Sequence, residues 1–151
     1  MKMLESDIND LLDKLDGLGS DQEFYAAREL GKLGDKLPTL LLKKYQTSRK
    51  WQARCSCVFH SIRFARVVDE AVQLGVQALS DKSKVVRYRA CMLLACSLNA
   101  NALSALKELE ANATDTETRA NAHAAIDAIE HQNSNYFVDR THSGKVKLEF
   151  D

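Results

Sequence analysis

Leu79-Ser80-Asp81-Lys82-Ser83-Lys84-Val85-Val86-Arg87-Tyr88-Arg89-Ala90-Cys91-Met92-Leu93-Leu94 decides the fold of this chain. Ser83 is placed to cap a helix, and apolar residues from Val86 to Leu94 follow at helical spacing around a small residue, Ala90. That small position recurs along the sequence as Ala26, Cys57, Ala90 and Ala122, at intervals of 31, 33 and 32 residues. Arg54, Arg87 and Arg119 recur at 33 and 32, and Leu42, Leu74 and Leu106 recur in the intervening segments at 32. Three registers sharing one period predict a stack of helix pairs, each burying its apolar face against the next. Ala or Cys at the crossing lets neighbouring helices approach, where a Leu would push the layers apart.

Outward from this stretch the punctuation predicts eight helices in four pairs, each a shorter helix followed by a longer one. The first runs from about Leu4 to Leu15 and ends at Gly17 and Gly19. The second opens on Ser20-x-x-Glu23, a capping box in which each side chain satisfies an orphan backbone donor, and closes at Gly34. Pro38 suits the first turn of a third helix reaching Tyr45, and Thr47 or Ser48 opens a fourth that ends near Arg66. Asp69 to Leu79, Ser83 to Leu98, Asn101 to Asn112 and Asp115 to Glu130 complete the series.

On these residues the chain resembles the HEAT-like helical repeat family. The quoted stretch is similar to the second half of a HEAT repeat, with its acidic turn, Val-Arg pair, Ala and Leu in order. Thr118-Arg119-x-x-Ala122-x-x-x-Ile126 repeats that pattern more loosely. Ala26-Ala27-x-x-Leu30-Gly31-x-Leu33-Gly34 resembles the ending found in a bacterial HEAT-like subgroup that includes the phycobilisome-lyase repeats. The resemblance covers about residues 4–130 and implies an all-α solenoid, armadillo-like in plan, whose second helices line a concave face. The first unit departs by lacking the Val-Arg pair, and the second has Ala53-Arg54 with Cys57. In this family the recurring arginines bind carbonyls and acidic residues of adjacent repeats, which assigns Asp81 and Asp115 as partners of Arg54, Arg87 and Arg119.

The chain has 151 residues, one Pro, six Gly and 45% hydrophobic residues, as suits a single helix-rich domain. No apolar run approaches the roughly 20 residues needed to cross a bilayer, and the first residues are acidic (Glu5, Asp7, Asp10), so a cytoplasmic protein without membrane contact is expected. Cys55, Cys57, Cys91 and Cys96 fall inside predicted helices and read as reduced, mostly buried thiols. A helical C-x-C pair turns its side chains about 200° apart, so Cys55 and Cys57 do not converge on one metal with His60. No metal or cofactor is expected.

Residues 131–151 depart from the repeat. Asn135 to Arg140 and Lys145 to Phe150 alternate apolar and polar residues on either side of Gly144, which predicts a β-hairpin with Val146, Leu148 and Phe150 on one face. The hairpin is read either as a cap on the open end of the stack or as part of a binding surface. The run Asn135-Tyr-Phe-x-Asp-Arg-x-His-Ser-Gly is similar to tails of small bacterial HEAT-like proteins from toxin-immunity loci, which implies an immunity protein.

Charge is uneven although the total is zero. Residues 1–40 carry 5 basic and 9 acidic side chains, residues 41–100 carry 11 and 3, and residues 101–151 carry 5 and 9. Such a basic centre is read as a solvated face, or as attraction for an acidic partner or a phosphate backbone. Gln52, Ser56, Phe59, Arg63 and Arg66 form one stripe of the fourth helix by i+3 and i+4 spacing. The repeat registers extend it into a ribbon of Tyr25, Arg28, Lys32, Phe59, Arg63, Arg66, Arg89 and Met92, which the resemblance puts on the concave side. Aromatic, Met and Arg residues favour interface centres, while Phe59 and Met92 are equally readable as interhelical packing. His60 shares the register of Leu93 and Ala125, which makes it a packed histidine.

No nucleophile elbow, phosphate-cradling glycine loop or H-E-x-x-H motif is present, so no enzyme is expected. HEAT-like DNA glycosylases are similar in repeat, and Trp51 and Tyr88 are suited to base stacking, but no catalytic acid stands out. Bilin attachment rests on family analogy alone. The expectation is a non-catalytic module that holds a partner protein with an acidic face in its groove, as an immunity or regulatory protein. Nucleic-acid binding by the basic central repeats is the rival.

Overall fold

Three helix starts are set by the side chains that the punctuation singled out. Ser20, Ser83 and Asp115 accept from the backbone N–H groups of Glu23, Val86 and Thr118, each satisfying an orphan donor of the first turn. The computed structural model, which describes residues 3–149, is all-helical. Its helices are α1 (Glu5–Asp13), α2 (Asp21–Leu30), α3 (Leu37–Thr47), α4 (Trp51–Ser61), α5 (Asp69–Ala78), α6 (Lys84–Ser97), α7 (Leu103–Asn112) and α8 (Thr116–Glu130). Successive helices pack in pairs, α1 on α2, α3 on α4, α5 on α6 and α7 on α8, and the pairs meet through α3 on α5, α4 on α6 and α6 on α8.

Ala26, Cys57, Ala90 and Ala122 are each fully buried, and so are Leu74 and Leu106. Their core continues through Val58, Leu93, Leu94 and Ile129 to Phe137. Gly75 on α5 serves close approach: a Cβ there would lie 2.8 Å from Leu93 and 2.9 Å from Leu94 side-chain carbons. None of the described helices is long and apolar enough to cross a membrane.

Some boundaries differ from the expected ones. The second helix stops at Leu30, and Gly31–Lys36 tightens into 3-10 turns that run directly into α3. Gly34, at φ 60° and ψ −134°, breaks the helical path in a conformation that costs glycine little. The fourth helix ends at Ser61, whose hydroxyl donates back to the Cys57 carbonyl at 2.8 Å, and Ile62–Phe64 continue as a 3-10 turn, so Arg63 and Arg66 lie beyond the helix. Only half of the capping box forms. The Glu23 carboxylate accepts from the Gly17 and Gly19 N–H groups at 2.9 and 2.8 Å, tying the turn before α2 and leaving Ser20 as the sole cap.

The expected C-terminal β-hairpin is replaced. No strand occurs among the described residues. Asn135 to Phe137, the first half of the expected first strand, instead lie in a 3-10 turn, Ser134–Phe137, capped by the Asn133 side chain. Phe137 is thereby fully buried, its ring 5.6 Å from that of Tyr88, and Arg140 anchors the next turn on Asn121. Asp139 then accepts from the N–H and hydroxyl of Ser143 and from the N–H of Gly144, closing a side-chain-bonded turn that leaves no ladder partner. Val146 stays 47% exposed whereas Leu148 is half-buried, so the two do not share a buried face; Phe150 lies outside the described residues.

Candidate functional site

Helices α4 and α6 lie side by side, and their register decides which side chains meet above them. Phe59 projects from α4, and Arg89 and Met92 are one turn apart on α6. The Arg89 guanidinium lies 5.0 Å from the Phe59 ring centroid and donates to the Met92 sulfur at 3.5 Å. From the 3-10 turn after α4, Arg63 stacks 4.9 Å from the Phe64 centroid. Glycine at position 31 makes room for it: a Cβ there would lie 2.3 Å from Arg63 Nη2. Arg28 enters from α2.

Phe59, Arg89, Met92, Arg63 and Arg28 line a groove of about 550 Å³ together with the apolar side chains of Ala27, Leu37 and Ile62. Five of the eight ribbon residues, Arg28, Phe59, Arg63, Arg89 and Met92, meet here. Phe59 is half-buried and Met92 only 5% exposed, so both also serve interhelical packing. The other three lie elsewhere. Tyr25 is 57% exposed away from the groove lining, Lys32 pairs with Glu29 at 2.8 Å, and Arg66 donates to the Cys96 carbonyl and the Ser134 hydroxyl beside the groove. Among the described residues no carboxylate is within ion-pair distance of Arg28, Arg63 or Arg89.

A second cleft of about 290 Å³ adjoins the groove, sharing Phe24, Phe59, His60 and Arg89 and adding Trp51 and Val85. Phe24 and Trp51 are 60% and 42% exposed, an unusual exposure for large rings that leaves two aromatic faces beside the basic rim. At the base, the buried Glu23 carboxylate also accepts from the Ser56 hydroxyl at 2.6 Å. Gly17 permits this approach of the first turn to α4, since a Cβ would meet the Gln52 carbonyl oxygen at 2.0 Å. Burial holds the His60 imidazole below its ordinary pKa, with the Glu23 charge opposing and Arg63 reinforcing that shift.

Cys55 also lines this cleft, and burial pushes its thiol up although the nearby Arg89 pulls the other way. A thiol so raised is protonated at neutral pH and a poor nucleophile. Glu23 is spent on backbone and hydroxyl donors, and His60 Nε2 stands 3.9 Å from it, beyond hydrogen-bond reach. What the surface offers outward is guanidinium donors and aromatic faces.

Sequence reasoning missed Phe24, Trp51 as a cleft residue, and the tail residues Leu148 and Glu149, which line the groove as well. Phe24 stands four residues before Arg28 on one helix face, a spacing that would have brought it into the ribbon. Among the described residues no cluster of three or more His, Cys, Asp or Glu side chains is placed to hold a metal. No protein-family model and no curated protein matches the chain.

Proposed function

We propose that this chain is a HEAT-like solenoid that binds a partner protein with an acidic surface in the groove above α4 and α6. The observation that carries the reading is the trio Arg28, Arg63 and Arg89, without acidic partners among the described residues, around Phe59 in one groove. Charged groups left without intramolecular partners favour and steer a complementary surface, and Arg and aromatic residues dominate binding energy at interface centres. A groove held by packed helices loses little conformational freedom on binding, so its contacts are not offset by ordering costs. An immunity or regulatory role follows if the partner is an enzyme or toxin blocked by being held.

The test is a pull-down of the tagged protein from its native cell extract with and without nuclease treatment, beside a folded variant with Phe59→Ala, Arg63→Ala and Arg89→Ala. One acidic protein retained by wild type and lost by the variant supports the reading. Recovery of nuclease-sensitive material alone, with binding that collapses between low and moderate salt, overturns it in favour of nucleic-acid binding.

A further inference from the structure

The segment after Gly144 turns back onto the groove. The Asp139 carboxylate closes the preceding turn through Ser143 and Gly144, and His142 and His131 both lie on Asp127 of α8, so the segment starts from a fixed point. Its N–H at Leu148 donates to Asn135 Oδ1 at 3.0 Å. The Leu148 side chain is half-buried and lines both the groove and the adjoining cleft at Arg66 and Cys96. Glu149 lines the same groove as Arg28, Arg63 and Arg89. Lys145, Val146 and Lys147 remain exposed. One apolar side chain followed by one acidic side chain is what the segment brings to the groove.

Resting on the binding reading above, we infer that the groove recognises an extended segment of the partner protein bearing an apolar side chain next to an acidic one. Leu148 and Glu149 hold the edge of that site from within the chain, and the partner displaces them. The chemistry matches on both counts: the leucine lines the groove with Ile62 and Met92, and the glutamate lines it with Arg28, Arg63 and Arg89, none of which has an ion pair among the described residues. One exposed carboxylate and one half-buried leucine form a weak contact by themselves. Tethering raises the local concentration of such a weak ligand to the millimolar range, enough to hold the site against casual binders and to yield to a longer acidic segment.

The test uses the full chain and a fluorescein-labelled, amidated peptide with the sequence of residues 145–151, Lys-Val-Lys-Leu-Glu-Phe-Asp, read by anisotropy. A chain with Leu148→Gly and Glu149→Lys should bind this peptide about tenfold more tightly than wild type, because the competing tether is removed. Glu149→Lys alone, at an exposed position that folding tolerates, should shift affinity in the same direction. Adding Arg63→Glu and Arg89→Glu should abolish binding, and a peptide with both acidic residues changed to Lys should not bind. Equal affinity for wild type and both tail variants, or binding that survives the arginine reversals, overturns the inference. A client captured through the groove alongside equal peptide affinities would discard only the resident tail; loss of groove-dependent capture would remove the binding reading as well.

Discussion

Arg54 and Asp81 are joined by a fork of two hydrogen bonds, Nε to Oδ2 at 2.8 Å and Nη2 to Oδ1 at 3.0 Å, that fastens α4 to the turn in front of α6. The same guanidinium caps the Arg49 carbonyl at 2.7 Å, so one side chain closes its own turn and grips the next. Arg87 repeats the device, donating to the Asp81 carbonyl at 2.7 Å and to Asp115 at 3.3 Å, and Arg119 retains the first half by donating to the Ala113 carbonyl. A planar fork of donors suits this double duty better than an ammonium.

Removing the fork leaves a buried carboxylate short of its charge partner. Arg54→Ala is expected to cost about 3 kcal/mol in urea unfolding, with Arg54→Lys recovering only part of it. A loss below about 1 kcal/mol would show that the Tyr45 hydroxyl and Ser83 N–H suffice for Asp81.

Burial pushes the Asp81 carboxyl up, but the Arg54 guanidinium, the Ser83 N–H and the Tyr45 hydroxyl outweigh it and hold the group below the usual carboxylate range. A carboxyl with a depressed folded pKa stabilises the fold above its unfolded pKa of about 3.9, and that stability is lost as pH falls through the folded value. Wild type should therefore lose stability more steeply below about pH 4 than Asp81→Asn, which starts less stable. Parallel pH profiles in urea unfolding would contradict this.

Ala90 is fully buried on α6, in register with Ala26, Cys57 and Ala122. Ala90→Leu should overpack the crossing and cost about 1–3 kcal/mol by thermal or urea unfolding. An unchanged melting temperature would remove the alignment of the repeats.

Gly31 has an ordinary helical φ of −57°, so alanine is free to adopt its backbone, but a Cβ would displace the tip of Arg63. Gly31→Ala should leave stability unchanged or raised by up to about 1 kcal/mol while weakening groove binding severalfold. Unaltered binding would separate Arg63 from recognition.

Burial pushes the Cys57, Cys91 and Cys96 thiols up to about 12; it also raises Cys55, but that thiol is only half-buried and the Arg89 guanidinium opposes the rise. Iodoacetamide at pH 8 should modify Cys55 first, as read by mass spectrometry of peptides, and the other three only on unfolding. Early modification of Cys91 would contradict the described core.

The helical architecture was legible because its signals are local and repeated: Ser20, Ser83 and Asp115 cap as their spacing indicates, and Ala90 and its counterparts are buried. The tail was misread because alternation alone does not specify a strand without a pairing partner. Asn133 and Asp139 offered their own backbone a competing set of side-chain bonds. The groove was half legible. Periodicity aligned Phe59, Arg63, Arg89 and Met92, but it carried no information on Leu148 and Glu149, which reach the groove through long-range folding of an aperiodic segment.

The central claim is that an acidic protein segment occupies the groove of Arg28, Arg63 and Arg89, and site-directed photo-crosslinking tests it most directly. A benzophenone amino acid replaces the exposed Phe24 in the groove lining, or the exposed Lys107 on α7 as a control, and the protein is irradiated in its native extract. The account predicts one adduct specific to position 24, whose crosslinked peptide carries an acidic residue beside an apolar one. Crosslinks to nucleic acid, or the same adducts from both positions, would contradict it.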